Sequence, residues 1–189
     1  MTGQISVNKI AARTGTTINM ESGHKILMPG SIIQTKSFTM TSTTTTTSDG
    51  FVDTGLQLAI TPSSTSSKIL ITGFICVGGS YFKTYIRLLR GSTVLSVGDA
   101  AGSRPQVYAS SLPGGSDWDS YNVTPIPLNL LDSPNTTSSV TYKVDFRPYQ
   151  HTATTSYINR SASDRDNADY DERSISVMTL QEIAAWQLD

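Results

Sequence analysis

The chain of 189 residues is long enough to bury the core of one domain and too short for two large ones. Charged residues make up 15% of it and the formal net charge is −1, so no long-range field attracts nucleic acid or an acidic membrane surface. The single cysteine, Cys76, excludes a disulfide within the chain, and no stretch approaches the roughly eighteen apolar residues of a membrane-spanning helix.

Residues 1–30 are rich in Gly and Thr and contain only short apolar stretches, as in KIAA, TINM and KILM. Stretches so short cannot form a core within one chain, so the segment needs partners. Either three chains wind together and bury the apolar side chains between them, or the segment docks on a larger assembly. We therefore predict an extended N-terminal segment over residues 1–30 that trimerises or anchors the chain, followed by one domain over residues 31–189.

Two strands are predicted between residues 31 and 60. SIIQTKSFTM (31–40) has the β-branched composition of a strand. The Thr-rich stretch 41–50 is either an exposed β edge or a mobile loop, and its low complexity favours the loop. In residues 52–60, Leu56, Leu58 and Ile60 alternate with other side chains, which is the two-residue period of a strand that buries one face.

Two hairpins are predicted next. TPSSTSSK (61–68) interrupts the pattern, because proline lacks a backbone donor and Ser and Thr side chains bond to their own backbone. ILITGFICVGG (69–79) resumes as a strand, so residues 52–79 are predicted to form a hairpin. YFKTYIRLLRG (81–91) and STVLSVG (92–98) predict a second hairpin.

The second half of the chain alternates strands with long polar segments. Residues 99–120 predict a surface excursion with one short strand, and the two prolines of residues 121–132 predict an edge strand or an irregular one. Residues 140–148 alternate most clearly of all, and the last strands are predicted at 154–160 and 174–183. Helical periodicity is absent except in the final turn. Such strands, separated by Ser, Pro and Gly loops, predict an all-β antiparallel two-sheet sandwich.

Residue types that support catalysis are sparse. His24 and His151 lie far apart in the sequence, and neither a G-x-S-x-G nucleophile elbow nor a zinc-binding helix accompanies them. The acids of residues 164–172 could supply the carboxylate pair of a glycosidase, but acids packed into one loop more often solvate it. We therefore expect no enzymatic activity and no cofactor.

The loop over residues 161–173 has two interpretations. It offers hard oxygen ligands at the close spacing that suits calcium. The candidate ligands are Asp164, Asp166, Asp169 and Asp171. The loop lacks the glycine of an EF-hand at the sixth position, where Asp169 stands. Arg165 and Arg173 could instead pair with the acids and leave a plain polar loop.

Aromatic and polar residues on flexible loops are the usual material of recognition surfaces. Residues 99–120 supply such residues around flexible glycines, and Tyr170 supplies one in the acidic loop. The predicted contact residues are Arg104, Tyr108, Trp118, Asp119 and Tyr170. Trp118 could equally cover the core.

Several stretches in fixed order resemble small structural proteins of tailed phages, particularly those that infect marine bacteria. The first half contributes KIAARTGTTINMESGHKI (9–26), SDGFVDTGL (48–56) and ITPSSTSSKILI (60–71). The second half contributes YIRLLRGSTVL (85–95), PLNLLDSPNTTSSVTYKVDFRP (127–148), NRSASDRDNADYDE (159–172) and SISVMTLQEI (174–183). The resemblance therefore spans nearly the whole chain, although none of these motifs is a catalytic signature.

The resemblance implies a virion component with a jelly roll similar to the trimeric tumour-necrosis-factor type. Because the N-terminal segment is too short for an extended shaft, the expected role is a short tail fibre or appendage whose trimeric head contacts a host glycan or protein. The alternative is a capsid decoration or head-fibre protein that residues 1–30 hold on another virion protein. Either role places the chain at the tail or capsid surface.

A trimer would also account for the many aromatic side chains. Surplus aromatic surface on one face of the sandwich could be buried against neighbouring subunits about a threefold axis. The predicted interface residues are Tyr81, Phe82, Tyr85, Tyr142 and Phe146. The alternative is that all five lie in the core of one chain.

Overall fold

The computed structural model describes residues 28–79, 83–111, 121–149, 154–166 and 169–185, which form eleven β-strands and no α-helix. No helix among these residues could span a membrane. The strands are β1 (Ile32–Met40), β2 (Thr44–Thr46), β3 (Val52–Ile60), β4 (Lys68–Gly79), β5 (Thr84–Arg90), β6 (Thr93–Leu95), β7 (Ala109–Ser110), β8 (Val123–Asp132), β9 (Val140–Pro148), β10 (Ser156–Ile158) and β11 (Ser176–Ile183).

The strands form two antiparallel sheets that pack face to face. Sheet A has the order β1-β11-β4-β8, and β10 continues beside β4 where β11 ends and pairs in turn with β2. Sheet B has the order β3-β9-β5-β6, with β7 also paired to β5. The first strand thus lies beside the last, and successive long strands alternate between the sheets. This is the order of a jelly roll, which confirms the predicted fold class.

The inner faces of both sheets supply one core. Alternate residues of β9, namely Tyr142, Val144 and Phe146, are fully buried, as the two-residue period predicts. The prediction that Tyr142 and Phe146 contact neighbouring subunits is therefore wrong, because both side chains are enclosed by their own chain. Tyr85 faces the other way, on the outer side of sheet B, and is half-buried. Tyr81 and Phe82 lie outside the described residues.

Strand pairing differs from the predicted hairpin over residues 52–79. β3 belongs to sheet B and β4 to sheet A, so residues 61–67 cross from one sheet to the other instead of turning back. β5 and β6 do form the second predicted hairpin. β8 is an edge strand, as its prolines predict, and the Thr-rich stretch contains the short strand β2 in addition to loop.

A buried carboxylate fastens the crossing between the sheets. Glu182 occupies an inward position of β11 and is fully buried. Its Oε1 accepts hydrogen bonds from the backbone N–H and the hydroxyl of Ser63, both at 2.7 Å, and its Oε2 accepts one from Gln34 at 2.6 Å. Burial alone would raise the pKa of this carboxyl, but these hydrogen bonds outweigh it and lower the pKa below its ordinary value.

Candidate functional site

Tyr121, which directly follows the predicted contact segment 99–120, meets the predicted contact loop 161–173 at one end of the sandwich. β8 and β10 flank the same end of β4, where Val123 pairs with Gly78 and Ile158 pairs with Val77. Tyr121, just before β8, therefore comes close to the loop 161–173 that follows β10. The rings of Tyr121 and Tyr170 lie 5.8 Å apart and are tilted by 47°.

The two ends of the acidic loop are held together by backbone and side-chain bonds. Arg160 and Arg173 form an isolated β-bridge, and the Ser174 N–H donates to the Asn159 carbonyl. The Asn159 amide donates to the carbonyls of Met40 and Ser42, which fixes the loop to the end of β1. Asn159 has a φ of 59°, a left-handed conformation that asparagine tolerates better than most residues.

The buried Asp171 ties together residues from both ends of the loop 161–173. Its side chain is completely buried and accepts hydrogen bonds from the Ser161 hydroxyl at 2.6 Å and from Nε of Arg165 at 2.7 Å. Burial would raise the pKa of the Asp171 carboxyl, but the bonds from Ser161 and Arg165 prevail and lower it. The aspartate is thus ionised near neutral pH and keeps the Arg165 guanidinium in place.

Arg165 in turn packs on both tyrosines. Its guanidinium carbon lies 4.3 Å from the ring centroid of Tyr121 and 5.5 Å from that of Tyr170. We call Tyr121, Arg165, Tyr170 and Asp171 the tyrosine–arginine cluster. Tyr170 is 46% exposed. The cluster therefore combines a guanidinium held by a buried aspartate with an accessible aromatic ring. Hydrogen-bond donors, acceptors and aromatic surface together are the chemistry of a binding site.

The acids of the loop do not gather around a metal position. Asp164 forms ion pairs with Arg160 and Arg173, both at 2.6 Å, and Asp171 forms one with Arg165. Asp166 and Asp169 are exposed, and no group of three potential ligands occurs among the described residues. The calcium interpretation is therefore wrong for Asp164 and Asp171. The pairing predicted for Arg165 and Arg173 is confirmed.

The remaining predicted contact residues have different positions. The Tyr108 hydroxyl bonds to the backbone of Asn129, and its ring packs against the core, so this side chain fastens its loop to β8. The Tyr108 side chain is half-buried, and its role as a contact residue stays a prediction. Arg104 is exposed and donates to the nearby Ala101 carbonyl. Trp118 and Asp119 lie outside the described residues.

The outer faces of the two sheets differ in charge. On sheet B, Arg87, Lys143 and Arg147 lie among Asp53 and Asp145. On sheet A, Lys68 at the rim is the one charged residue among the outward positions of β1, β4, β8 and β11. The others are polar uncharged or apolar: Ile32, Thr35, Ser37, Thr39, Leu70, Thr72, Phe74, Cys76, Gly78, Val123, Pro125, Pro127, Asn129, Leu131, Val177, Thr179, Gln181 and Ile183. Leu131 is 53% exposed there.

No protein-family model and no curated protein matches the chain. Among solved structures, it is similar to a chain in the structure of infectious bursal disease virus, Gt strain, with 11% identity and a TM-score of 0.39 over 89% of this chain and 42% of that one. A chain of the Gx strain gives 11% identity and a TM-score of 0.38 over 88% and 45%. This chain spans less than half of either viral chain, and similarity so low assigns it neither function nor partner.

Proposed function

We propose that the chain is a virion structural protein of a tailed phage, a short tail fibre or appendage whose trimeric jelly-roll head contacts the host surface. One observation carries this proposal. β1 begins at the end of sheet A where the backbones of Gly30 and Ser31 form hydrogen bonds with the backbone of Ala184. The tyrosine–arginine cluster lies at the opposite end of the sheet. The eight residues of β11 separate the two ends by about 25 Å.

This polarity suits an anchored receptor-binding protein. If residues 1–30 attach the chain to other virion proteins, the tyrosine–arginine cluster is presented outward, away from the particle. Loops carried on a rigid sandwich are a common location for recognition. The proposal gives the chain no catalytic activity and no cofactor, in keeping with its phage-like sequence motifs.

The outer face of sheet A, where Lys68 at the rim is the one charged residue among the outward strand positions, supports the trimeric state. Charged residues are depleted at the centres of protein interfaces, and this face carries apolar and hydroxyl side chains across four strands. The exposed Leu131 belongs to it. We therefore place the contacts between subunits on this face, in place of the buried Tyr142 and Phe146.

Adsorption of particles that carry a variant chain tests the host contact. Replacing Tyr170 by alanine removes exposed aromatic surface without touching the core, so particles should assemble normally and adsorb about tenfold or more slowly. Val94→Ala, an exposed side chain on β6, is the matched control and should adsorb at the wild-type rate. Normal adsorption by a Tyr121→Ala/Tyr170→Ala double variant would contradict the proposal.

A map of the intact particle by electron cryo-microscopy tests the location. The expected result is a trimer at the tail with the tyrosine–arginine cluster outermost. A trimer seated on the capsid lattice and clamped by residues 1–30 would overturn the tail assignment and make the chain a decoration or head-fibre protein.

A further inference from the structure

We infer that the tyrosine–arginine cluster binds an uncharged, hydroxyl-rich glycan of the host surface. The inference rests on the proposed host contact and names the class of its ligand. It follows from three properties of the cluster: a guanidinium with free donors, a surrounding excess of negative charge, and an exposed aromatic ring.

The Arg165 guanidinium is held in place, but only some of its N–H groups donate hydrogen bonds within the chain. Nε donates to the buried Asp171, and the planar group packs on the Tyr121 ring. Among the described residues, no other side-chain hydrogen bond or ion pair of Arg165 is formed, and 46% of its side chain is exposed. Its terminal N–H groups can therefore donate in parallel to two acceptors, in the fork geometry of arginine. Two adjacent sugar hydroxyls offer such a pair of acceptors.

The charge around Arg165 favours a neutral ligand over an acidic one. Residues 160–173 contain three arginines against four aspartates and one glutamate, which leaves a charge of −2. A polyanion would be repelled by this excess. Hydroxyl groups are not repelled, and they can donate to carboxylates such as that of the exposed Asp166 while accepting from Arg165.

Tyr170 supplies the apolar part of the site. Its 46% exposure leaves ring surface open beside the guanidinium, so a sugar ring can lay its C–H face on the tyrosine. Hydroxyls at the rim of that sugar would then reach Arg165. Because Asp171 and Tyr121 hold the guanidinium beforehand, little conformational entropy is lost on binding.

Binding of the purified full-length chain to cells of the phage's bacterial host tests the inference. Periodate cleaves adjacent hydroxyl pairs of surface glycans, and proteinase K removes surface proteins. We expect periodate to abolish binding, proteinase K to leave it unchanged, and added salt to have little effect because the ligand is uncharged. Tyr170→Ala and Arg165→Lys should each weaken binding about tenfold or more, whereas Tyr170→Phe should retain it.

Arg90→Lys is the matched control, since Arg90 is also paired with an aspartate, Asp132, but lies at the other end of the sandwich. It should bind as the wild type does. Binding that survives periodate and is lost after proteinase K, or that falls steeply with salt, would overturn the glycan inference and leave the host contact standing. A wild-type chain that neither binds the cells nor competes with particle adsorption would overturn both.

Discussion

Replacing Glu182 by glutamine should destabilise the sandwich and change its response to acid. The carboxylate accepts three hydrogen bonds from uncharged donors on Gln34 and Ser63, and no Lys or Arg among the described residues forms an ion pair with it. In the variant, an amide N–H₂ must face one of these donors. One charge-assisted bond is lost and a buried donor is left without an acceptor, at a cost of about 3 kcal/mol.

Urea unfolding followed by tryptophan fluorescence measures this cost, at one fixed protein concentration because the proposed subunit association would add to apparent stability. With a slope of about 2 kcal/mol per molar urea, the midpoint should fall by about 1.5 M at pH 7. The exposed Glu172→Gln is the control and should change stability by less than about 0.5 kcal/mol.

The pH dependence supplies an independent check on Glu182. Because the native pKa of Glu182 is lower than the ordinary value of 4.5, its stabilising contribution is complete above that pH and disappears as the pH falls through the native pKa. Glutamine does not titrate, so the stability gap between the wild type and the variant should narrow from pH 7 to pH 3. Equal urea midpoints at pH 7, or a gap that stays constant with pH, would refute the reasoning.

Two further substitutions test the fold and the proposed subunit contact. A Cβ at Gly78 would lie 2.2 Å from the Arg160 carbonyl oxygen, so Gly78→Ala should lower the free energy of unfolding by about 1–3 kcal/mol. Gly98→Ala is the control, because no atom lies within 4 Å of a Cβ there, and it should leave the urea midpoint nearly unchanged. If the wild-type chain is the proposed trimer, Leu131→Arg should reduce its mass in light scattering to that of the 20.4 kDa chain, whereas Gln57→Arg on the outer face of sheet B should leave the mass unchanged. Equal masses for the two variants would count against the proposed interface on sheet A.

Much of the local structure follows from residue patterns. The alternation in β9 predicts which side chains are buried, because a strand with one buried face must place apolar residues at every second position. The prolines of β8 predict an edge strand, since they cannot complete hydrogen bonds to a second neighbour. Even the buried Glu182 had a signal, for it shares the inward phase of Met178 and Leu180 in β11.

The partners of each strand are decided only by the tertiary structure. Alternation defines two faces of a strand but carries no information on its neighbour, so β3 and β4 resembled a hairpin although residues 61–67 cross between the sheets. The same limit explains Tyr142 and Phe146: their inward phase was evident, but the sequence could not tell a core within one chain from a contact between subunits.

The tyrosine–arginine cluster shows this division most clearly. The sequence by itself determined that loop 161–173 is polar, contains Tyr170 and has arginines able to pair with its acids. It could not relate Tyr170 to Tyr121, which lies 49 residues earlier. Only the pairing of β8 and β10 with the same end of β4 brings the two rings together, because contact across a sheet depends on long-range register and not on local residue spacing.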